Sequence, residues 1–410
     1  MDQTRRLFMG GVTAGVVTAA AGAAAAPAAR AAAPARTELG WHNVLSYGAK
    51  GDGAADDTPF IQAALDACEP GNTVYLPAGL YRTSRPVRIP PRVTLQGSHG
   101  GGEHEYEGRE TPPVAIKPLP GFTGEAVLLI LDRQLGGYPR KAVEQRVFRL
   151  TVDGSALDPE GPAVDGIRAV GQIQHLQLRD VQIHRVTGIG VNTTYNTGTS
   201  GPQAPFCLHF DRVSIMWSKS FGVALNNTTD SVFTDVYALG CDGAGWWISG
   251  AGNSTFTGCR AEWSRGEGFW LNGWKGVIQF TGCSTDRSGR DGILVQNDDV
   301  GSILQLSGCR LDRDGRNVQA DGTETGGGGL AGLRVVGSKA KVLADGLIVL
   351  PGRDDKGGSV SSPMFGVSAT DSVCTVVTSG FVDGVERDWH DGGGNGVFLK
   401  GPTLLTSTEG

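Results

Sequence analysis

Two carboxylic acids, Glu267 and Asp291, hold equivalent positions in this 410-residue chain, each directly before a glycine of an internal repeat. The repeat places them on adjacent turns of the chain, roughly 5 Å apart. Two carboxylates this close do not both ionise freely, so one stays protonated as an acid beside a base. That spacing also suits the carboxylate pair of retaining glycosidases. We predict Glu267 and Asp291 as acid and base or nucleophile; the alternative is two solvated turn residues balanced by Arg265 and Arg290.

Two tryptophans, Trp247 and Trp270, hold a second equivalent position, two residues after the repeat glycine. A polar residue stands four places after each of these glycines, and we predict that the amide-bearing ones, Asn226, Asn272 and Gln296, bind substrate together with the tryptophans. Indole rings beside amides suit sugars, which present apolar faces and polar edges. The alternative is a hydrophobic patch that a neighbouring loop or subunit covers.

The repeat itself has an apolar or small anchor residue, followed in five of six copies by a glycine nine residues later. The anchors are Val181, Val213, Val236, Cys259, Cys283 and Cys309, and the glycines are Gly190, Gly222, Gly245, Gly268 and Gly292. Successive anchors are 32, 23, 23, 24 and 26 residues apart. A period in this range marks a stacked repeat, and its strand-like, glycine-rich units favour a β-solenoid over helical repeats.

Each repeat glycine precedes a short strand whose alternating residues face opposite sides. We predict that the first and third residues point into the core: Val223/Leu225, Trp246/Ile248, Phe269/Leu271 and Ile293/Val295. The second and fourth residues then face outward, and they include the tryptophans and amides described above. Stacking at about 4.8 Å places Trp247 and Trp270 one above the other.

The region before the repeats carries a specific set of short motifs: Tyr47-Gly-Ala-Lys-Gly-Asp-Gly53, Asp56-Asp57-Thr58, Ile61-Gln62-Ala63-Ala64 and Tyr75-Leu-Pro-Ala-Gly79. This combination resembles the pectate-lyase superfamily, in particular its rhamnogalacturonase-like and epimerase-like members, which are related to glycosyl hydrolase family 28. The resemblance implies an all-β, single-stranded right-handed parallel β-helix with an N-terminal helix capping one end. We expect Asp57 or Thr58 to cap that helix, with Pro59 in its first turn.

The resemblance also implies activity on polysaccharides, either by hydrolysis or by the β-elimination of a lyase. The mannuronan epimerases align best, and the positions of their catalytic Tyr, Asp and His fall on Ile189, Asn192 and Thr194, with a second Asp on Asn226. None of these residues is retained, so epimerisation by that apparatus is not expected. We predict a polysaccharide-degrading enzyme, with hydrolysis slightly preferred over lyase chemistry; a non-catalytic glycan-binding or adhesion protein is the alternative from another class.

A lyase needs a cation to neutralise a uronate, and Arg168 is the outward basic residue on the first aligned strand. We therefore include Arg168 among the substrate-binding residues. The rest of the outward stripe through the aligned strands carries no charge, which favours neutral sugars over polyuronates.

The N-terminus is a targeting segment. Thr4-Arg5-Arg6-Leu7-Phe8-Met9 is a twin-arginine signature, an alanine-rich stretch follows, and Ala31-Ala32-Ala33 fits a cleavage site. A membrane anchor would need a longer apolar span. We predict export of a secreted, extracellular protein with no membrane contact after cleavage. The predicted parts are the signal at 1–36 and the β-helix domain at 37–410, with its cap and first rungs at 37–97, central rungs at 146–350 and C-terminal rungs at 366–406.

Composition narrows the partners. The net charge is −6, with no basic cluster beyond the N-terminus, so we expect no nucleic acid partner. Seven cysteines cannot all pair within one chain, and three of them share the anchor position, so free thiols are expected. No cofactor or metal site is required, although the stacked acids Glu262, Asp286 and Asp312 could bind calcium. The sequence leaves open a monomer or a homotrimer.

Overall fold

The computed structural model describes residues 40–99, 113–132, 136–137, 143–194, 205–319, 322–353 and 359–401. Apart from the short 3-10 helix η1 (Val44–Tyr47) and the helix α1 (Thr58–Ala67), the elements are strands. The strands before the repeats are β1 (Trp41–Asn43), β2 (Asp52–Asp56), β3 (Thr73–Leu76), β4 (Gly79–Thr83), β5 (Val87–Arg88), β6 (Thr94–Gly97), β7 (Val114–Pro118), β8 (Ala126–Leu131) and β9 (Arg146–Asp153).

The central strands are β10 (Asp165–Val170), β11 (Gln177–His184), β12 (Val191–Thr194), β13 (His209–Met216), β14 (Val223–Asn226), β15 (Val232–Leu239), β16 (Trp246–Thr257), β17 (Arg260–Glu262), β18 (Phe269–Thr281), β19 (Ser284–Asp286), β20 (Ile293–Gln296), β21 (Ile303–Ser307), β22 (Arg310–Asp312), β23 (Ala331–Val336), β24 (Lys341–Asp345) and β25 (Leu347–Leu350). The remaining strands are β26 (Gly352–Arg353), β27 (Ser361–Ser362), β28 (Phe365–Thr370), β29 (Cys374–Val377), β30 (Gly380–Val382), β31 (Arg387–Asp391) and β32 (Val397–Lys400).

Thirty of these strands belong to one continuous sheet in which each strand pairs in parallel with its equivalent one coil earlier and later. The repeat register is kept without shift through β14, the start of β16, β18 and β20. This arrangement is a parallel β-helix, as predicted. The strands β26 and β27 instead form a separate antiparallel pair.

The repeat glycine is required by the close approach of adjacent coils. A Cβ on Gly268 would lie 2.6 Å from the carbonyl oxygen of Gly292 and 2.5 Å from Cγ2 of Thr285. A Cβ on Gly190 or Gly222 would meet the carbonyl oxygen of the next coil at the same 2.6 Å. None of these glycines has a positive φ. Their role is therefore close packing of backbone on backbone rather than a turn conformation.

The predicted inward residues form the core. All eight, Val223, Leu225, Trp246, Ile248, Phe269, Leu271, Ile293 and Val295, are fully buried. The indole of Trp246 stacks on the ring of Phe269 one coil later, with 5.7 Å between ring centroids. The anchor cysteines Cys259, Cys283 and Cys309 lie in the same core, and all seven cysteines are free thiols.

The helix α1 buries Ile61, Ala64 and Leu65 against the core, as expected of a cap. Asp57 occupies the N-cap position but makes no side-chain capping bond. Its carboxylate instead accepts hydrogen bonds from the backbone N–H groups of Lys50 and Gly51, at 2.6 and 3.0 Å. The predicted cap position is correct, whereas the chemistry differs because the preceding turn takes the carboxylate.

The twin-arginine segment lies outside the described residues, so the signal peptide and export stay predictions. In the part of the chain that the structure describes, no helix is long and apolar enough to cross a membrane.

We expect Gly268→Ala to lower the free energy of unfolding by about 1–3 kcal/mol, because the new methyl group overpacks a backbone contact. Gly301→Ala is the matched control, since its Cβ would meet only Asp299 Oδ1 at an ordinary 3.5 Å. It should change stability by less than about 0.5 kcal/mol. Denaturant unfolding of both variants measures the difference, and equal midpoints would contradict the close-packing role.

Candidate functional site

The candidate site lies on the outward face of β14, β16, β18 and β20, where the repeat aligns its residues in columns. Trp247 pairs in register with Trp270, and Asn226 continues through Ser249 and Asn272 to Gln296. The residues directly before the glycines, Glu267 and Asp291, enter on the same adjacent coils, because the Gly268 N–H donates to the Asp291 carbonyl. The structure therefore brings the predicted acids, tryptophans and amides onto one surface.

The two tryptophans form part of an aromatic platform that also contains Phe221. Their ring centroids are 6.5 Å apart with planes tilted by 51°, so they are neighbours without being parallel. The ring of Phe221 stacks on Trp247 at 5.4 Å and 20°, and meets Trp270 edge-on at 6.4 Å. Sequence reasoning missed Phe221, although it holds the same position before a repeat glycine as Glu267. All three rings are half-buried.

The amide of Gln296 sets the tilt of Trp270, because the indole N–H donates to Gln296 Oε1 at 2.9 Å. Asn272 and Gln296 line a cleft of about 840 Å³ beside the platform, together with Lys275 and Asp298. Asn226 lies two coils before Asn272 in the same column and accepts a hydrogen bond from the side chain of Asn227, at 2.7 Å. The cleft thus offers amide donors and acceptors, one cation and the two carboxylates of Asp298 and Asp299 close to the half-buried platform.

Glu267 is bound by a single arginine. Arg290 Nε donates to Glu267 Oε1 at 2.7 Å. The Glu267 side chain is only 9% exposed, whereas that of Arg290 is 60% exposed. Of the two arginines expected to balance the acids, Arg290 does bind Glu267. Arg265 instead forms an ion pair with Asp242, at 3.5 Å. The description of Glu267 as solvated is wrong, because the arginine covers a carboxylate that the coil already buries.

Asp291 is more deeply enclosed, with 2% of its side chain exposed. Arg334 Nε donates to both of its oxygens at 2.9 and 3.0 Å, and the Ala331 N–H donates to Oδ1 at 2.7 Å. Burial raises the pKa of Asp291; Arg334 and the Ala331 N–H oppose that shift, and the negative charge of Glu267 adds to it. The two predicted acids therefore interact electrostatically, and burial together with that interaction raises the pKa of Asp291 and favours its protonated form.

Asp165 repeats this arrangement at the other end of the face. It stands directly before Gly166 and is buried. It accepts from the Ile189 N–H at 2.7 Å, from the side chain of Asn192 at 2.8 Å and from Arg168 Nη1 at 3.2 Å. Burial raises its pKa as well. An aspartate here can thus serve to hold adjacent coils together, without any chemistry on a ligand.

Arg168 does not join the other predicted site residues. Its column runs through Asn192 and Ala224 to Trp247 and then Trp270, four coils away, or roughly 19 Å. Its guanidinium is bound to Asp165. Sequence reasoning placed Arg168 in the right column but could not show that its charge is already paired.

The prediction of an otherwise uncharged stripe is wrong. Arg334 pairs in register with Leu294 and continues the column of Trp247 and Trp270. The repeat analysis missed it because 40 residues separate Gly292 from Gly332, the next equivalent glycine (332 − 292). Arg290 adds an exposed guanidinium beside the same stripe.

Two acids of the second ladder, Asp286 and Asp312, form ion pairs with arginines. Asp286 Oδ2 accepts from Arg287 Nη2 at 2.9 Å and from Arg313 Nη2 at 3.0 Å. Glu262 accepts a hydrogen bond from the hydroxyl of Tyr237 at 2.7 Å. Among the described residues, no group of three or more His, Cys, Asp or Glu side chains is arranged to hold a metal ion. Arginines thus occupy two of the three acids that suggested calcium, and a tyrosine hydroxyl occupies the third.

Two family models match the chain. Residues 41–107 match the model described as rhamnogalacturonase A/epimerase, pectate lyase-like. Residues 165–346 match the model of the right-handed β-helix region. The second match covers the candidate site, and the first covers the N-terminal cap.

Curated relatives include alginate lyase 7 of Azotobacter vinelandii, 35% identical over 135 residues, which are 30% of this chain and 14% of that protein. Mannuronan C5-epimerase AlgE2 of the same organism is 29% identical over 236 residues, which are 50% of this chain and 22% of that protein. The chain therefore spans less than a quarter of the length of either relative.

Among solved structures, the A-module of mannuronan C-5 epimerase AlgE6 from Azotobacter vinelandii has the same fold. It matches with a TM-score of 0.59 and 18% identity, over 88% of this chain and 100% of that module. The structure and the match of residues 165–346 identify a right-handed parallel β-helix, and residues 41–107 match the pectate-lyase-like model.

Proposed function

We propose that the chain is a polysaccharide-degrading enzyme that cleaves glycosidic bonds on the face carrying Phe221, Trp247 and Trp270. The observation that carries the proposal is the position of this platform beside two interacting carboxylates, Glu267 and Asp291, on adjacent coils. Aromatic rings bind the apolar faces of sugars, and paired carboxylates supply acid and base. The names of the relatives, a lyase for alginate and an epimerase for mannuronan, support a polysaccharide as substrate.

In this mechanism Asp291 donates the proton to the leaving oxygen, since burial and the charge of Glu267 both favour its protonated form. Glu267 acts as base or nucleophile. Neither carboxylate is open to solvent, so a sugar reaches them only when Arg290 and Arg334 move aside. Arg290 is 60% exposed and can move into solvent, and a bound sugar would then have to replace its contact with the buried Glu267 carboxylate.

Lyase chemistry is the second candidate, and the exposed guanidinium of Arg290 favours it. An arginine that leaves Glu267 could bind and neutralise the carboxylate of a uronate, because the guanidinium fork matches that group. The 35% identity to an alginate lyase over 135 residues supports this candidate. Epimerisation receives less support, because Ile189, Asn192 and Thr194 occupy the positions that the epimerase resemblance assigns to catalysis.

A screen of the chain against neutral and uronic polysaccharides, with and without Glu267→Gln, tests the proposal. On any polysaccharide that the wild type cleaves, the Glu267→Gln variant should be roughly 10²–10⁴-fold slower, because an amide cannot act as base or nucleophile. Its binding of that polysaccharide should be retained. Glu262→Gln, on the same coil but a neighbouring face, is the control and should keep its rate. Reducing ends without ultraviolet absorbance indicate hydrolysis, and both signals together indicate a lyase.

Binding without cleavage on every substrate would reject the enzyme proposal and favour the non-catalytic alternative. Equal rates for wild type and Glu267→Gln would remove Glu267 from the mechanism.

Asp291→Asn and Asp165→Asn form a matched pair, because each removes a buried aspartate that binds one arginine and one backbone N–H. Both variants should lose about 3–5 kcal/mol of unfolding free energy, as expected when one partner of a buried ion pair is removed. Only Asp291→Asn should also lose roughly 10²–10⁴-fold in rate under conditions where both variants are folded. Similar rate losses in the two would show that Asp291 is structural.

Trp247→Ala and Trp270→Ala should each weaken glycan binding by about 0.5–1.5 kcal/mol, or roughly two- to twelvefold. Trp41→Ala removes an exposed indole near the N-terminal cap and serves as control. Isothermal titration with the polysaccharide found in the screen measures the affinities. Unchanged binding in both platform variants would place the glycan elsewhere.

A further inference from the structure

Asp314 is a fully buried carboxylate at the start of the segment that joins β22 to β23. Within the described residues, neither an arginine nor a lysine forms an ion pair with it. The charged side chain that most affects it is Asp286, whose own charge is bound by Arg287 and Arg313. The buried Arg316 follows two residues later and is bound to Glu324.

Asp314 binds the turn that leads into the proposed site. Its Oδ1 accepts from the Ser288 N–H at 2.9 Å, and its Oδ2 is in contact with the hydroxyl of Thr285. The adjacent Gly315 N–H donates to the Arg290 carbonyl at 2.7 Å. The loop thus binds residues 288–290 through the Asp314 side chain and through the Gly315 backbone N–H.

The residues bound in this way end one position before Asp291. Arg290 is the residue that covers Glu267, and Asp291 is the proposed acid. Gly292 follows, and a Cβ on it would lie 2.3 Å from Asp314 Oδ2. The carboxyl group of Asp314 is therefore packed beneath the backbone that carries Arg290 and Asp291.

We propose that Asp314 is a positioning residue for the polysaccharide site: its neutral carboxyl group holds the turn at residues 288–290, and its ionisation loosens that turn. The inference rests on the proposed function of the site formed by Glu267 and Asp291. A buried carboxylate with only two donors and no cation is costly, so the charged form favours opening of the turn.

Burial raises the pKa of Asp314 to about 7, with Asp286 adding to the shift while Thr285 and Ser288 oppose it. The folded protein then holds a proton that the unfolded chain releases at an ordinary aspartate pKa. The stabilisation of the folded state by this proton is complete below the unfolded pKa of about 4. It is lost as the pH rises towards and through 7. Above that pH the turn carries an unpaired negative charge.

Asp314→Asn mimics the neutral form of the side chain and removes the ionised form. The amide keeps an acceptor for the Ser288 N–H and can donate to Thr285, but it cannot ionise. Above pH 7 we expect the wild-type rate to fall more steeply than that of the Asn variant, by up to roughly tenfold per pH unit, because only the wild type loses the Asp314 proton in addition to that of Asp291. Asp242→Asn, on an equivalent turn nearer the N-terminus, should keep the wild-type profile.

Hydrogen exchange of peptides covering residues 285–292 and 314–317 gives a readout without substrate. Above pH 7 these peptides should exchange faster in wild type than in Asp314→Asn at the same pH, and equally below about pH 6. Identical exchange at every pH would overturn the proposal, as would a difference in exchange with identical rate profiles. If exchange depends on pH as predicted but the protein is inactive on every polysaccharide, Asp314 controls the turn and the proposed enzyme function is rejected.

Discussion

The contact that the rest of the molecule depends on is the approach of each repeat glycine to the carbonyl oxygen of the next coil. The missing Cβ of Gly268 would stand 2.6 Å from the Gly292 oxygen, so any side chain there would push the coils apart. This contact fixes the register of the following strand. Every residue at a given distance from the glycine then falls in one column, and Trp247 above Trp270 is a direct result.

The three acids that stand directly before a repeat glycine, Asp165, Glu267 and Asp291, are all buried, so their charge must be compensated. Asp165 and Asp291 each bind one arginine and one backbone N–H from the next coil. Glu267 instead binds Arg290, which extends into solvent. A ligand can compete for that arginine more easily than for Arg334, which is 25% exposed. The acids of this column are therefore enclosed to different degrees, and Glu267 is the one whose partner arginine a ligand can displace most easily.

The sequence was sufficient for the columns, because a fixed glycine spacing determines which residues point inward and which acids are neighbours. It could not determine the partners of side chains that face outward. The tilt of Trp270 depends on its hydrogen bond to Gln296, and the platform includes Phe221, which no spacing rule distinguishes from other aromatic residues. Asp57 likewise holds the predicted cap position but binds the preceding turn.

The interruption of the repeat explains both what the sequence concealed and how one coil differs from the others. The insertion after β22 places the next repeat glycine 40 residues beyond Gly292. The regular repeat spacing therefore does not reveal that Arg334 belongs to the column of Trp247 and Trp270. The same insertion supplies Asp314 beneath the turn at 288–290, and the strand after it supplies the Ala331 N–H and Arg334 that enclose Asp291. Asp291 therefore takes its arginine from the next coil, whereas Asp165 takes Arg168 from its own strand. A solenoid of nearly identical coils can acquire one chemically distinct coil in this way, without disturbing the close contact that holds the stack together.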